Sequence, residues 1–169
     1  MSKVEVRLWM TSDWCQTKKQ ASDEARYMAA RISAFFTESY ISQTHTEGLG
    51  IVAVCSVPVG VNAEALNVFD AEVLMNDFTQ REQMRAQRDS LNFIRIKCLK
   101  ECYKKQTGID FSSSLLRLDF SDCLDNPSKV IHPMEKYTLN HDDFYYHAET
   151  NRFYCQLILG NRFFVSICI

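Results

Sequence analysis

The sequence predicts an α+β domain: a mostly antiparallel sheet with helices packed on one face, ending in a three-stranded meander. Three observations predict it. Residues 3–10 alternate apolar and polar side chains. Residues 79–108 form a charged run with helix stop signals at both ends. Residues 144–169 contain three β-rich runs separated by two short turns. No repeat, low-complexity tract or linker divides the chain, so residues 1–169 read as a single domain.

Taken in order, Val4, Val6, Leu8 and Met10 face one way and Lys3, Glu5, Arg7 and Trp9 the other, the pattern of a half-buried strand. A helix follows from Asp13 or Thr17. Thr17 and Gln20 have the spacing of a capping box. Ala21, Ala25, Met28, Ile32 and Phe35 form its apolar stripe, which runs to about Glu38. Residues 44–50 read as a polar loop. Residues 51–59 are almost wholly apolar and β-branched, as in a central strand covered on both faces. Pro58 marks the end of its pairing. Asn62 is placed to cap a short helix ending near Asp77.

The long helix spans about residues 80–107. Thr79 and Glu82 make a second capping box, and Gly108 sits where a left-handed C-cap belongs. Its first half has little besides Met84 to bury, which points to projection from the domain or to a partner, self-association included. Leu116, Leu118 and Phe120 alternate with Arg117 and Asp119, as in another strand. Residues 121–140 read as an acidic loop. The meander then has turns at 149–151 and at Gly160-Asn161, where glycine in the first central position suggests type II′.

Charge is sorted along the chain. Residues 62–80 carry −4, residues 81–106 carry +5 and residues 107–150 carry −5, although the total is only −2. Such sorting either steers a charged partner or neutralises itself inside the fold. No apolar run approaches the ~20 residues of a membrane span. The start MSKVEVRLWM has no continuous apolar stretch, and seven cysteines is an odd number. The expectation is a cytoplasmic protein with reduced thiols and no membrane partner.

Chemistry-bearing residues form no known signature. There is no phosphate-binding glycine loop, dinucleotide fingerprint or nucleophile elbow. Cys98 and Cys102 share a helical face without the second pair a zinc site wants, and read as core. His141, Asp142, Asp143 and His147 are the densest group of ligand types. On a strand, Asp143 and His147 would share a face and Asp142 would not. A polar loop entering an edge strand explains them as well. Cys15 and Cys123 fall in loops and are the better candidates for reactive thiols.

The leading functional reading is a small protein-interaction module acting as an inhibitor, of the immunity or phage anti-defence type, from a bacterium or a phage. It would occlude a functional surface on another protein, such as a toxin, nuclease or defence enzyme, with no catalytic residue, metal or cofactor. The expected contact residues are an acidic set, Asp122, Asp125, Asp142 and Asp143, and a basic row, Arg81, Arg85 and Arg88. The second reading is nucleic-acid binding through the basic helix 81–105. The third is a metal-dependent enzyme using His141, Asp143 and His147.

Overall fold

The computed structural model describes residues 4–12, 16–109 and 118–169. Two sheets lie face to face, with helices on the outside of each. Strand β1 (Glu5–Ser12) sits inside the first sheet, whose order is β2 (Tyr40–Thr46), β3 (Leu49–Cys55), β1, β6 (Lys136–Asn140). Every pairing in it is antiparallel. The second sheet runs β4 (Gly60–Ala65), β9 (Phe163–Cys168), β8 (Arg152–Leu159), β5 (Lys129–Ile131), with β7 (Tyr145–His147) also on β8. Only β5 is parallel to its neighbour.

The period-two pattern assembles the core. Val6, Leu8 and Met10 of β1 meet Leu49, Ile51 and Ala53 of β3 between the sheets. Cys155, Leu157 and Leu159 of β8 and Phe163, Val165 and Ile167 of β9 approach from the other side. β3 is buried along its whole length, as its apolar run predicts. The meander β7–β8–β9 is as expected. Its second turn places both Gly160 (φ 54°) and Asn161 (φ 56°) in the left-handed region, the mark of a type I′ turn. Asparagine tolerates that region, so the turn is not type II′.

Helix α1 (Lys18–Ser33) starts at the Thr17 capping box and packs on β2 and β3. Helices α2 (Ala71–Asp77), α3 (Gln80–Arg88) and α4 (Ser90–Thr107) belong to the second sheet's side, where α4 lies on β4 and β9. Helices therefore cover both outer faces rather than one, because two stacked sheets leave two faces to cover. Phe36 also packs on the outer face of the first sheet, but Phe35, expected in the α1 stripe, lies past the helix end and is exposed.

The expected long helix is two helices. Asp89 is extended (φ −150°, ψ 121°) and its carboxylate accepts from the Leu91 N–H, ending α3 and capping α4. The Thr79 box and the left-handed Gly108 (φ 70°) bound the pair as expected. Asn62 caps no helix. It lies in β4 opposite Ser166, and the helix that ends at Asp77 is capped by Asp70. Residues 44–46, expected in a loop, close strand β2. The loop expected at 121–140 contains a 3₁₀ turn (Ser121–Asp125), β5 and β6. Residues 118–120 are not strand, and the rest of that expected strand lies outside the described residues, as do Asp13 and Cys15.

One seam joins the sheets. The Val61 N–H donates to Ser42 Oγ (3.1 Å) and the Ala63 N–H to Thr44 Oγ1 (3.3 Å), so side chains of β2 stand in for backbone partners of β4. Lys105 of α4 spans the same seam, donating to Gln43 O (3.2 Å) and Val61 O (3.1 Å).

Candidate functional site

The sorted charges meet within the fold. Arg81 pairs with Asp122 (2.6 Å) and Arg85 with Asp125 (2.9 Å), so two members of the expected basic row face two of the expected acidic set. The Arg85 hydrogen bond holds the Asp125 carboxyl below its ordinary range. Asp143 bonds Lys129 (2.8 Å), which raises the lysine's pKa. Burial works against ionised Asp143, but that bond and the Asn140 N–H keep its pKa low. Arg88 and Asp142 remain exposed, with no salt bridge to each other.

The cations of α4 turn inward. Arg95 donates to the carbonyls of Cys123, Leu124 and Asn126, capping the 3₁₀ turn, and to Gln156 of β8. Lys97 pairs with Glu64 at 3.0 Å. Lys100 and Glu82 form a buried pair at 3.0 Å, with side chains 3% and 0% exposed. Glu82 also accepts from the N–H groups of Thr79 and Phe120, and Lys100 donates to Leu118 O. Burial raises the Glu82 pKa, and Lys100 opposes that rise. These contacts tie α3, α4 and residues 118–126 together, so the basic segment serves the fold.

The histidine cluster does not assemble. Tyr146 pairs with Phe153 across β7 and β8, so these two share a face and His147 points to the other. His141 lies against Phe153 (5.9 Å between rings). His147 is buried against Phe120 (5.3 Å), with Nδ1 3.0 Å from Thr150 Oγ1. Burial lowers its pKa. Among the described residues no group of three His, Cys, Asp or Glu side chains could hold a metal ion. Cys98 donates to Asn62 O (3.0 Å), and burial pushes its thiol up to about 12. Cys123, expected in a loop as a candidate reactive thiol, is fully buried and is likewise raised to about 12. Thiols in that state are poor nucleophiles.

The structure instead presents a trough on the outer face of the first sheet. Helix α1 covers β2 and β3 and reaches only the margin of β1. Beside it lies a cleft of about 770 Å³ whose lining includes Trp9, Tyr27, Met28, Phe35, Phe36 and Lys136. A second hollow of about 390 Å³ continues past Phe36 to Arg7 and Glu5. Three cations lie on aromatic rings here: Lys136 over Trp9 (5.2 Å), Arg7 over Phe36 (5.7 Å) and Arg31 over Tyr27 (5.7 Å). Phe35 is 81% exposed and Tyr27 66%. Grouped exposed aromatics of this kind mark binding surfaces.

Sequence reasoning assigned none of these residues to a binding site, and it placed Met28 and Phe35 in the buried stripe of α1. The available signal was the row Glu24, Tyr27, Met28, Arg31, Phe35 at helical spacing, offset from the Ala21, Ala25, Ile32 stripe. Comparison with known proteins adds no analogy: no family model matches the chain, and no curated protein matches it.

Proposed function

We propose that this chain is a protein-binding module that receives an amphipathic helix of its partner in the trough beside α1. The observation that carries this reading is the half-covered outer face of the first sheet. Two strands lie outside α1, about 10 Å of sheet at the usual strand spacing. An α-helix with its side chains is about 10–12 Å across. The face therefore has room for one helix next to α1, over a floor that includes Trp9 and against a wall of Tyr27, Met28 and Phe35.

Charge speaks for protein over nucleic acid. Glu5, Glu24 and Glu135 around the trough match Arg7, Arg31 and Lys136 in number. A phosphate backbone would find no net attraction there. Inhibition by occlusion would use this face, with aromatic side chains as anchors, in place of the charged loops.

Photo-cross-linking in the native cell tests the reading. A photoreactive phenylalanine analogue at position 35 should give adducts with protein, and one at position 142 should not. Adducts from position 142 alone, or from position 35 to nucleic acid only, would overturn it.

A further inference from the structure

We infer that the trough selects its helix by charge, taking one that carries a lysine or arginine two turns from an aspartate or glutamate at the edge of its apolar face. This rests on the trough being a helix-docking surface, and it states the chemistry of the partner. The trough has two distinct ends, because α1 runs back along β1. At one end Gly50, which pairs with Thr11, lies under the N-terminal part of α1. A methyl group on it would meet Ala21 O at 3.1 Å and Ala25 Cβ at 3.2 Å. At the other end Met28, Ile32 and Phe36 pack in one cluster with Trp9, whose ring lies 5.6 Å from that of Phe36.

The charges divide between the same two ends. Glu24 stands on the α1 wall near Thr11, and Glu135, whose carbonyl accepts from the Met10 N–H (2.9 Å), stands on the β6 side. Arg31 lies on the α1 wall toward the Trp9 end, two turns or ~10 Å from Glu24. Lys136 lies on the β6 side with its Nζ 5.2 Å from the Trp9 ring. All four are exposed, and none has an ion-pair partner among the described residues. Arg7 is already bound to Glu5 at 2.6 Å and adds little to the basic end. A helix laid beside α1 therefore meets two carboxylates at one end of its contact and two cations at the other. Its apolar face covers Trp9, Met28 and Phe35, and its edge residues answer the four charges. Opposite charges two turns apart are matched at both ends, whereas like charges are repelled at one of them. Apolar contact alone would accept any amphipathic helix; the repulsion is what discriminates.

Three stapled helical peptides of about 15 residues, each with a leucine-rich face, serve as probes. They differ only at two edge positions two turns apart: lysine with glutamate, glutamate with glutamate, or lysine with lysine. Fluorescence anisotropy should show the mixed peptide binding the wild-type chain on the order of tenfold more tightly than either like-charged one. The gap should narrow in ~1 M salt, where the Debye length falls to ~3 Å. The double variant Glu24→Lys, Glu135→Lys makes both ends basic, so it should prefer the doubly acidic peptide. An unchanged melting temperature shows that this variant folds. Equal binding of the three peptides, binding of none, or a preference that survives the double substitution overturns the inference. So does a chain that sediments as a dimer which no peptide dissociates, because a second copy would then hold the trough. Equal binding leaves the helix-docking reading in place, since that reading stands or falls on the adducts from position 35.

Discussion

On the second sheet, α4 lies across β4 and β9 and sends Arg95, Lys100 and Lys105 to carbonyl oxygens of neighbouring segments. On the first sheet, one helix covers two strands of four and leaves aromatic side chains bare. The basic segment looks like a binding surface in sequence, yet most of its cations are engaged by acceptors within the fold. The face with the milder sequence stays open. The number of charges in a segment thus says little about whether they reach a partner. What decides it is whether main-chain acceptors and carboxylates elsewhere in the chain are waiting for them.

The largest break in the contrast comes from the buried pair. Glu82→Ala leaves Lys100 buried without its carboxylate and deprives the Thr79 and Phe120 N–H groups of their acceptor. The expected loss is about 3–5 kcal/mol by denaturant unfolding. A loss below ~1 kcal/mol would mean that α3 and α4 are held by apolar contacts alone.

Next come two glycines, one beneath each helix. A methyl group on Gly60, under α4, would lie 2.0 Å from Cys102 O and 2.7 Å from Gln106 N. On Gly50, under α1, it would meet Thr11 Oγ1 at 2.9 Å and Ala21 O at 3.1 Å. Backbone atoms block the first site, whereas a side-chain hydroxyl that can rotate is the nearest obstacle at the second. Gly60→Ala should cost about 3 kcal/mol and Gly50→Ala about 1 kcal/mol. Equal values would show the two helices to be equally free to shift.

The smallest effect belongs to the surface pairs. Arg81→Ala and Arg85→Ala each break a bridge whose aspartate is mostly exposed, and each should cost less than ~1 kcal/mol. Salt should erase the difference from wild type in thermal melts. A larger, salt-resistant loss would return these residues to the rank of Lys100.

Local signals were legible because they act within a few residues. The Thr17 and Thr79 boxes, the Gly108 cap, the alternation of β1 and the meander all read directly. Failures came where long-range contacts decide. Asn62-Ala63-Glu64-Ala65-Leu66 has the composition of a capped helix, but pairing with β9 makes most of it a strand. Thr44 makes the end of β2 look like the start of a loop, yet it and Ser42 are the groups that reach β4. Asp89-Ser90 carries a cap signal that the surrounding helical periodicity overrides on paper. The candidate site was harder still. Arg81 and Asp122 are far apart in sequence, so no local window shows that one cancels the other. The trough is a gap in coverage, and coverage depends on where α1 comes to rest.

The seam between β2 and β4 has a consequence for solubility. Edge strands with free main-chain groups are templates for pairing with other chains. Here two hydroxyls and one ammonium occupy those groups while leaving the sheets separate. Removing Ser42 and Thr44 would uncover two adjacent edges at once and open a route to end-to-end polymers, even in chains whose interior packing is intact.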